Sequence, residues 1–275
     1  MATASIPEHL VPSELGTKDY WDKLYARELS NHASNPSDIG TIWFDDSNAE
    51  ARMIQYLTSH HHRHNNRDHT QAQPRSPSPA LDDDQSSVLD LGCGNGSILF
   101  ALREQHQFAK GRFLGVDYSH ASVELARAVG RGQGESGEEE EASDIDFRQW
   151  DILQGSYDDV LTGEQSNGWD VVLDKGTFDA VSLSNDEVQG RRICALYPER
   201  ILPLVKTGGI FLVTSCNWTE EELVAWFASK NGTPCPAFEV VGRVDYKTFS
   251  FGGVKGQTIS TVCFRKTQNA TAGHR

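Results

Sequence analysis

The chain has 275 residues, 37% of them hydrophobic and 23% charged, and a net charge of −14. That length gives one large domain or two small ones with a sizeable core. No apolar run approaches the roughly 20 residues that span a bilayer. The acidic balance argues against a phosphate-backbone binder, so neither membrane nor direct nucleic-acid partners are expected.

In chain order, the N-terminus MATASIPEHL has neither a basic stretch nor an apolar core, so no secretory leader is expected. Leu15–Tyr25 reads as a capped helix, with Tyr20/Leu24 and Trp21/Tyr25 at i, i+4 spacing. Ile42-Trp43-Phe44 is a dense apolar cluster. Residues 1–59 are therefore read as a helical segment packed on a core, a candidate lid over a ligand. For Trp43, contact with that ligand and plain packing against the sheet both stay open.

Residues 60–87 have few large apolar side chains, three prolines and five of the ten histidines. Such a stretch buries too little surface to offset its ordering entropy. It is expected to be a disordered insertion rather than a metal site, which would need oriented ligands. The core is placed at 88–267, with a disordered acidic loop at 130–144 and a disordered tail at 268–275.

Within the core, Ser87–Leu91 reads as a short strand and Ser97–Gln105 as a helix with Ile98, Leu99, Ala101 and Leu102 inward. Arg112–Val116 is a second strand. Ser119–Val129 is a second helix with Ser119 as its cap. Ile145–Trp150 and the nearly all-apolar Trp169–Leu173 are further strands. Arg191–Val205 is largely helical, interrupted near Pro198 and Pro203. Gly209–Ser215 is a fifth strand. Thr219–Ser229 is a helix opened by a capping box, Thr219 with Glu222. Phe238–Tyr246 and Thr258–Arg265 are two strands joined by a Gly-rich connection. This order predicts a Rossmann-like, doubly wound, mostly parallel α/β sheet with an antiparallel C-terminal edge and helices on both faces. The ligand crevice should lie at the carboxyl ends, just after Leu91, Val116, Trp150, Leu173 and Thr214.

The sharpest local signal is VLDLGCGNG, in which a strand runs through Gly92, Gly94 and Gly96 into a helix. Glycine permits positive φ and close approach of a ligand to the backbone. Asp117, 21 residues after Gly96 and followed by Tyr118, is placed to accept ribose hydroxyls. A dinucleotide motif needs its third glycine at position 97, where Ser97 stands. Asp90 would repel a pyrophosphate, whereas it suits a ligand with an ammonium, a sulfonium and no phosphate. S-adenosylmethionine is such a ligand and is the expected cofactor. Cys93 and Asn95 complete the loop, Cys93 as a small filler, because methyl transfer needs no thiol nucleophile. Asp151 and Ile152 either frame the adenine or form a plain loop.

The fourth strand leads into DKGTFD, nearest the methyl donor. Direct methyl transfer needs a neutral, aligned amine and exclusion of water. Asp174 can orient that amine beside the cofactor, or hold its own loop. Phe178 can wall the channel, or belong to the core. Lys175 is read as an ion-pair partner. Trp218, in Cys216-Asn217-Trp218, lines the acceptor channel or packs before the next helix. The five cysteines are odd in number and widely spaced, which fits buried free thiols in a reducing cytosol. No metal is expected.

DLGCGNG with GVDYS resembles the class I, seven-stranded, S-adenosylmethionine-dependent methyltransferases. SELGTKDYWDKLYAREL, IWF, DKGTFDAVSL, TSCNWTEEEL and FSFGGVKGQTISTVCFRK narrow the resemblance to the eukaryotic elongation factor 1-alpha lysine methyltransferases. That resemblance implies methylation of a lysine on elongation factor 1-alpha in the cytoplasm. It places the cofactor role on Gly92, Gly94, Asp117 and the Asp151 region, and the acceptor role on DKGTFD. A monomer is expected. A methyltransferase for another protein or a small molecule, and a non-catalytic cofactor scaffold, are the alternatives.

Overall fold

The computed structural model describes residues 7–59, 81–82, 84–105, 107–133, 144–230, 233–234, 237–246, 248–251 and 254–267. Most of the histidine-rich insertion (60–80), most of the acidic loop (134–143) and the tail (268–275) lie outside them. The helices are α1 (Lys18–Ser34), α2 (Ala49–Ser59), α3 (Ser97–Glu104), α4 (His120–Gln133), α5 (Thr177–Ser182), α6 (Tyr197–Ile201) and α7 (Glu220–Phe227). The main strands are β1 (Val88–Leu91), β2 (Phe113–Asp117), β3 (Ile145–Gln149), β4 (Trp169–Lys175), β5 (Val205–Ser215), β6 (Phe238–Val244) and β7 (Ser260–Lys266).

These seven strands form one sheet in the order β6-β7-β5-β4-β1-β2-β3. β1 to β5 run parallel, while β7 is antiparallel to both β5 and β6. The strand order reverses between β1 and β4, so the switch-point crevice opens at their carboxyl ends. This is the doubly wound sheet with an antiparallel edge that the strand-helix alternation predicts.

Both faces of the sheet are covered. One face packs Trp169, Phe178, Tyr197, Phe211, Trp226 and Phe227 into an aromatic core. The other packs Met53, Ile54 and Leu57 of α2 and Ile98, Leu99 and Leu102 of α3 against the sheet. Burial on both faces accounts for the apolar centre of β4, Val171–Leu173.

Several local expectations are revised. Ser119 precedes α4, but its hydroxyl is buried without a hydrogen-bond partner among the described residues. The turn is closed by Asp117 instead, whose Oδ1 accepts the Ser119 N–H at 2.9 Å. The 191–205 stretch is α-helical only over α6, flanked by 3-10 turns, and Pro198 starts that helix rather than breaking it. The Gly-rich connection after β6 contains a hairpin of Thr248–Phe251 with Val254–Gln257. Ser86 and Ser87, at the end of the expected insertion, are buried, and Ser87 donates through N and Oγ to Asp170. The first residues of the expected acidic loop, 130–133, continue α4. The Thr219–Glu222 capping box is present as predicted. Cys93, Cys194 and Cys263 are buried free thiols, Cys216 is exposed, and Cys235 lies outside the described residues.

Candidate active site at the carboxyl ends of the strands

After β1 the chain turns through Gly92, Gly94 and Gly96 at φ of 65°, 56° and 79°. Each glycine is pressed by a different element. A Cβ on Gly92 would overlap Thr177 Oγ1, on Gly94 it would lie 2.8 Å from the Tyr25 hydroxyl, and on Gly96 2.7 Å from the Phe147 ring. Thr177 Oγ1 donates to the Leu91 carbonyl at 2.6 Å, so DKGT directly supports the glycine loop. Asp117, almost fully buried, braces the loop from β2. Its Oδ2 accepts the Gly94 N–H at 3.3 Å and the Ser122 hydroxyl at 2.8 Å. We expect Gly94→Ala to weaken cofactor binding at least about tenfold, because the new methyl meets Tyr25 and the backbone is strained. Calorimetric titration of the purified variant checks this; Tyr25→Phe added to it should restore only part of the loss, since the positive φ remains.

The N-terminal segment lies over this loop. Asn95 Nδ2 donates to the Ile39 carbonyl at 2.9 Å. Glu28 of α1 accepts from Thr41 N and Oγ1, and His32 Nδ1 meets the Asp38 carbonyl at 2.8 Å. Trp43 packs edge-on against Trp21 with centroids 5.1 Å apart. Its buried Nε1 makes no well-formed hydrogen bond among the described residues, although it counters part of the rise that burial imposes on the Tyr25 hydroxyl. Ser97 Oγ donates to Glu50 at the start of α2.

Beneath the segment is a set of buried acids. Asp90 is 3% exposed and pushed up to about 8, first by burial and then by Glu50, Asp174 and Asp117, with Lys175 opposing. Its carboxylate accepts no hydrogen bond from the described residues. Lys175 lies 3.4 Å from Glu50 and donates to the Trp43 carbonyl at 3.3 Å, which is the ion-pair role expected of it. Burial pushes the Cys93 thiol well up, helped by Asp117 and Asp90, in keeping with a filler. Tyr118 is half-buried under Lys18, whose Nζ lies 5.1 Å from the ring centre.

Other candidates are placed differently from the functional reading. Asp174 is fully buried and already saturated. It accepts the Thr177 N–H at 2.8 Å, the Phe178 N–H at 3.2 Å and the Tyr197 hydroxyl at 2.7 Å. It therefore holds its loop and does not face an amine. Phe178 is fully buried among Tyr197, Trp218, Trp226 and Phe227, and does not wall a channel. Trp218 is 3% exposed and donates Nε1 to Ser182 Oγ at 3.1 Å, a packing role. Ile152 is buried in the core, and Asp151 closes its own turn by accepting the Leu153 N–H at 2.8 Å. The plain-loop reading fits both.

Four residues not singled out from the sequence organise the site, two of them, Thr177 and Asp179, inside the DKGTFD motif. Tyr25 and Thr177 shape the glycine loop. Tyr197 anchors Asp174. Asp179 joins the two signature motifs, accepting the Ser215 hydroxyl and, at 2.8 Å, the Cys216 N–H. Its place in DKGTFDA directly before SCNWT in space has no signal in the sequence, because 36 residues separate the partners.

Comparison with known proteins decides the family. A methyltransferase-domain family matches residues 82–259. The protein-lysine N-methyltransferase EFM4 of Saccharomyces cerevisiae is 39% identical over 258 residues, covering 94% of this chain and 96% of the yeast protein. The chain belongs to the protein-lysine N-methyltransferases. The EEF1A lysine methyltransferase 2 of Homo sapiens is 33% identical over 256 residues, 93% of this chain and 88% of the human one. Among solved structures, the cyclase SpnF shares the fold at a TM-score of 0.54 and 14% identity, covering 94% of this chain and 99% of that one.

The enzyme's cofactor is S-adenosylmethionine, and its residues fit that molecule. Positive φ at the three glycines, each packed against a neighbouring side chain with no room for a Cβ, holds the loop in a conformation that presents backbone rather than side chains to a ligand. Asp90 offers a ligand ammonium a buried carboxyl that accepts no hydrogen bond from the described residues, and the ammonium would favour its ionised form; the buried Trp43 Nε1 has no well-formed acceptor among the described residues. When bound, S-adenosylmethionine supplies an electrophilic methyl group on a sulfonium. Asp90 and the glycine loop of this methyltransferase would hold the donor, with Tyr118 at its ribose end; Asp117, whose two oxygens already accept from Gly94, Ser119 and Ser122, braces the loop there. With the donor bound, the N-terminal segment over the loop would shield it from water, which strengthens each electrostatic contact beneath it.

Proposed function

We propose that this methyltransferase modifies a lysine of translation elongation factor 1-alpha, acting as a monomer in the cytoplasm. The observation that carries the reading is similarity over 93–96% of the chain to vertebrate proteins named EEF1A lysine methyltransferase 2. The net charge of −14 also suits a basic protein partner.

The chemistry asked of the chain is modest. A lysine ε-amine must reach the methyl carbon in neutral form, in line with the departing sulfur. Positioning of the two reactants supplies most of the acceleration in such a displacement. Purified enzyme, radiolabelled S-adenosylmethionine and recombinant elongation factor 1-alpha test the reading. Label should appear on one lysine and be lost with Asp90→Ala. If elongation factor 1-alpha stays unlabelled while another protein in cytosolic extract is labelled, the substrate assignment fails and the enzyme class stands.

A further inference from the structure

An acceptor amine must arrive near the carboxyl ends of β4 and β5, yet the two aromatics of the signature motifs at that place are in the core. A third aromatic stands at the surface there. Phe44 is half-buried and adopts left-handed backbone angles, φ 65° and ψ 25°. For a bulky residue these angles are strained, and such strain collects at functional sites. The turn is secured on both sides: the Phe44 carbonyl accepts the N–H groups of Ser47 and Ala49 at 3.2 Å, and Asn48 is also left-handed.

The strained turn sets the ring directly on Gly176. A Cβ there would meet ring atoms Cε2 and Cζ at 3.2 Å. Gly176 N–H in turn donates to the Thr214 carbonyl at 3.0 Å, which fixes this contact between the ends of β4 and β5. The inner side of Phe44 packs on the small cluster of Ala49, Val244, Tyr246 and Ile259. Asp46, two residues on, is exposed. Its charge is felt at Cys216, the first residue after β5, whose thiol is raised to about 12 by partial burial, then Asp179, with a smaller part from Asp46.

We propose that Phe44 forms a wall of the acceptor-lysine channel and that Asp46 draws the incoming ammonium to its mouth. The inference rests on the chain being a lysine methyltransferase, not on which protein carries the lysine. A free lysine is mostly cationic, with a pKa near 10.4. It releases its proton to water before attack. The ε-nitrogen lone pair then forms the N–C bond as the S–C bond breaks. The bonding pair stays on sulfur, S-adenosylhomocysteine is released, and the new methylammonium can pass a proton to water. An apolar ring beside the nitrogen favours the neutral amine before attack and interacts with the cation formed afterwards.

Calorimetry with two probes tests this without any protein substrate. One is S-adenosylhomocysteine. The other is an analogue with nitrogen in place of the sulfur, bearing a lysine-length aminoalkyl arm. In the wild type the arm should raise affinity by about tenfold or more. Phe44→Ala should cut that gain to under about threefold, and leave S-adenosylhomocysteine affinity within about twofold. Phe44→Tyr should keep the gain. Asp46→Asn, at an exposed site that does not endanger folding, should lower it about threefold in dilute buffer. That effect should vanish near 0.5 M salt, where the screening length is about 4 Å. No gain in the wild type, an equal gain in Phe44→Ala, or parallel loss of both probes would overturn the proposal. If Phe44→Ala does not fold, an unchanged gain in Asp46→Asn and in Phe44→Leu overturns it. An arm effect that depends on Phe44 supports the proposal even if elongation factor 1-alpha proves not to be the substrate.

Discussion

Asp90→Asn should make the cofactor-free enzyme more stable at pH 8 and bind S-adenosylmethionine at least about tenfold more weakly. Burial pushes Asp90 up to about 8 and Asp174 to about 7, and raises Asp117 and Asp179 as well. An acid whose folded-state pKa lies above its unfolded value contributes stability that is full below the unfolded value, near 4. That contribution is lost as pH rises through the folded value. The cofactor-free enzyme should therefore melt at progressively lower temperature from about pH 5 to pH 8. A shift of Asp90 from 3.8 to about 8 is worth up to about 5 kcal/mol at the top of that window, at about 1.4 kcal/mol per pKa unit. The amide keeps the shape of the carboxyl without the charge, so it removes this share. A bound ammonium beside Asp90 stabilises the ionised form and should restore stability at pH 8 in the wild type alone. Melting curves from pH 5 to 9, with and without cofactor, check both halves. An amide variant with wild-type cofactor affinity would show that Asp90 does not hold the ammonium.

The contrast between Asp90 and Phe178 shows what the sequence could and could not reveal. The strand, the three alternate glycines and the helix that follows are contiguous, and positive φ at Gly92, Gly94 and Gly96 follows from local chemistry alone. The crevice position follows from topology. By contrast, the direction of Phe178 depends on the phase of a six-residue helix, α5, too short for periodicity to report. Its partners Trp226 and Phe227 lie about 50 residues away. Trp218 is ambiguous for the same reason. The Tyr25 contact with Gly94 joins segments about 70 residues apart, across the insertion. Patterning gave α1 an apolar face but could not say that the face closes on the glycine loop. Phe44 was visible only as part of an apolar triplet. Its strained backbone, which is what directs the ring to Gly176, has no sequence signature in a residue other than glycine, asparagine or aspartate.

Asp174→Ala should lower the melting temperature by roughly 10 °C, the second large effect, and lose activity through the collapse of its loop. The side chain is fully buried and serves three donors from two elements, Thr177 N–H, Phe178 N–H and the Tyr197 hydroxyl. Its removal strands the buried hydroxyl of Tyr197 and unties the start of α5, at about 3–5 kcal/mol in total, or about 2–4 °C for each kcal/mol in a chain of this size. Thr177 then no longer sits under Gly92, so the cofactor cradle loosens with it. Asp174→Asn retains one acceptor and should cost less than half as much. Tyr197→Phe should cost about 1–2 kcal/mol and be non-additive with Asp174→Ala, because both remove the same hydrogen bond. The pH dependence separates a structural from a chemical role. Asp174, raised to about 7, contributes to the loss of stability between pH 4 and 7, and the Asn variant should flatten that stretch. Melting of Asp174→Ala within about 2 °C of wild type, with cofactor binding intact and turnover abolished, would return this carboxylate to the reacting atoms. Thermal melting, cofactor titration and turnover on the same three variants distinguish the two roles.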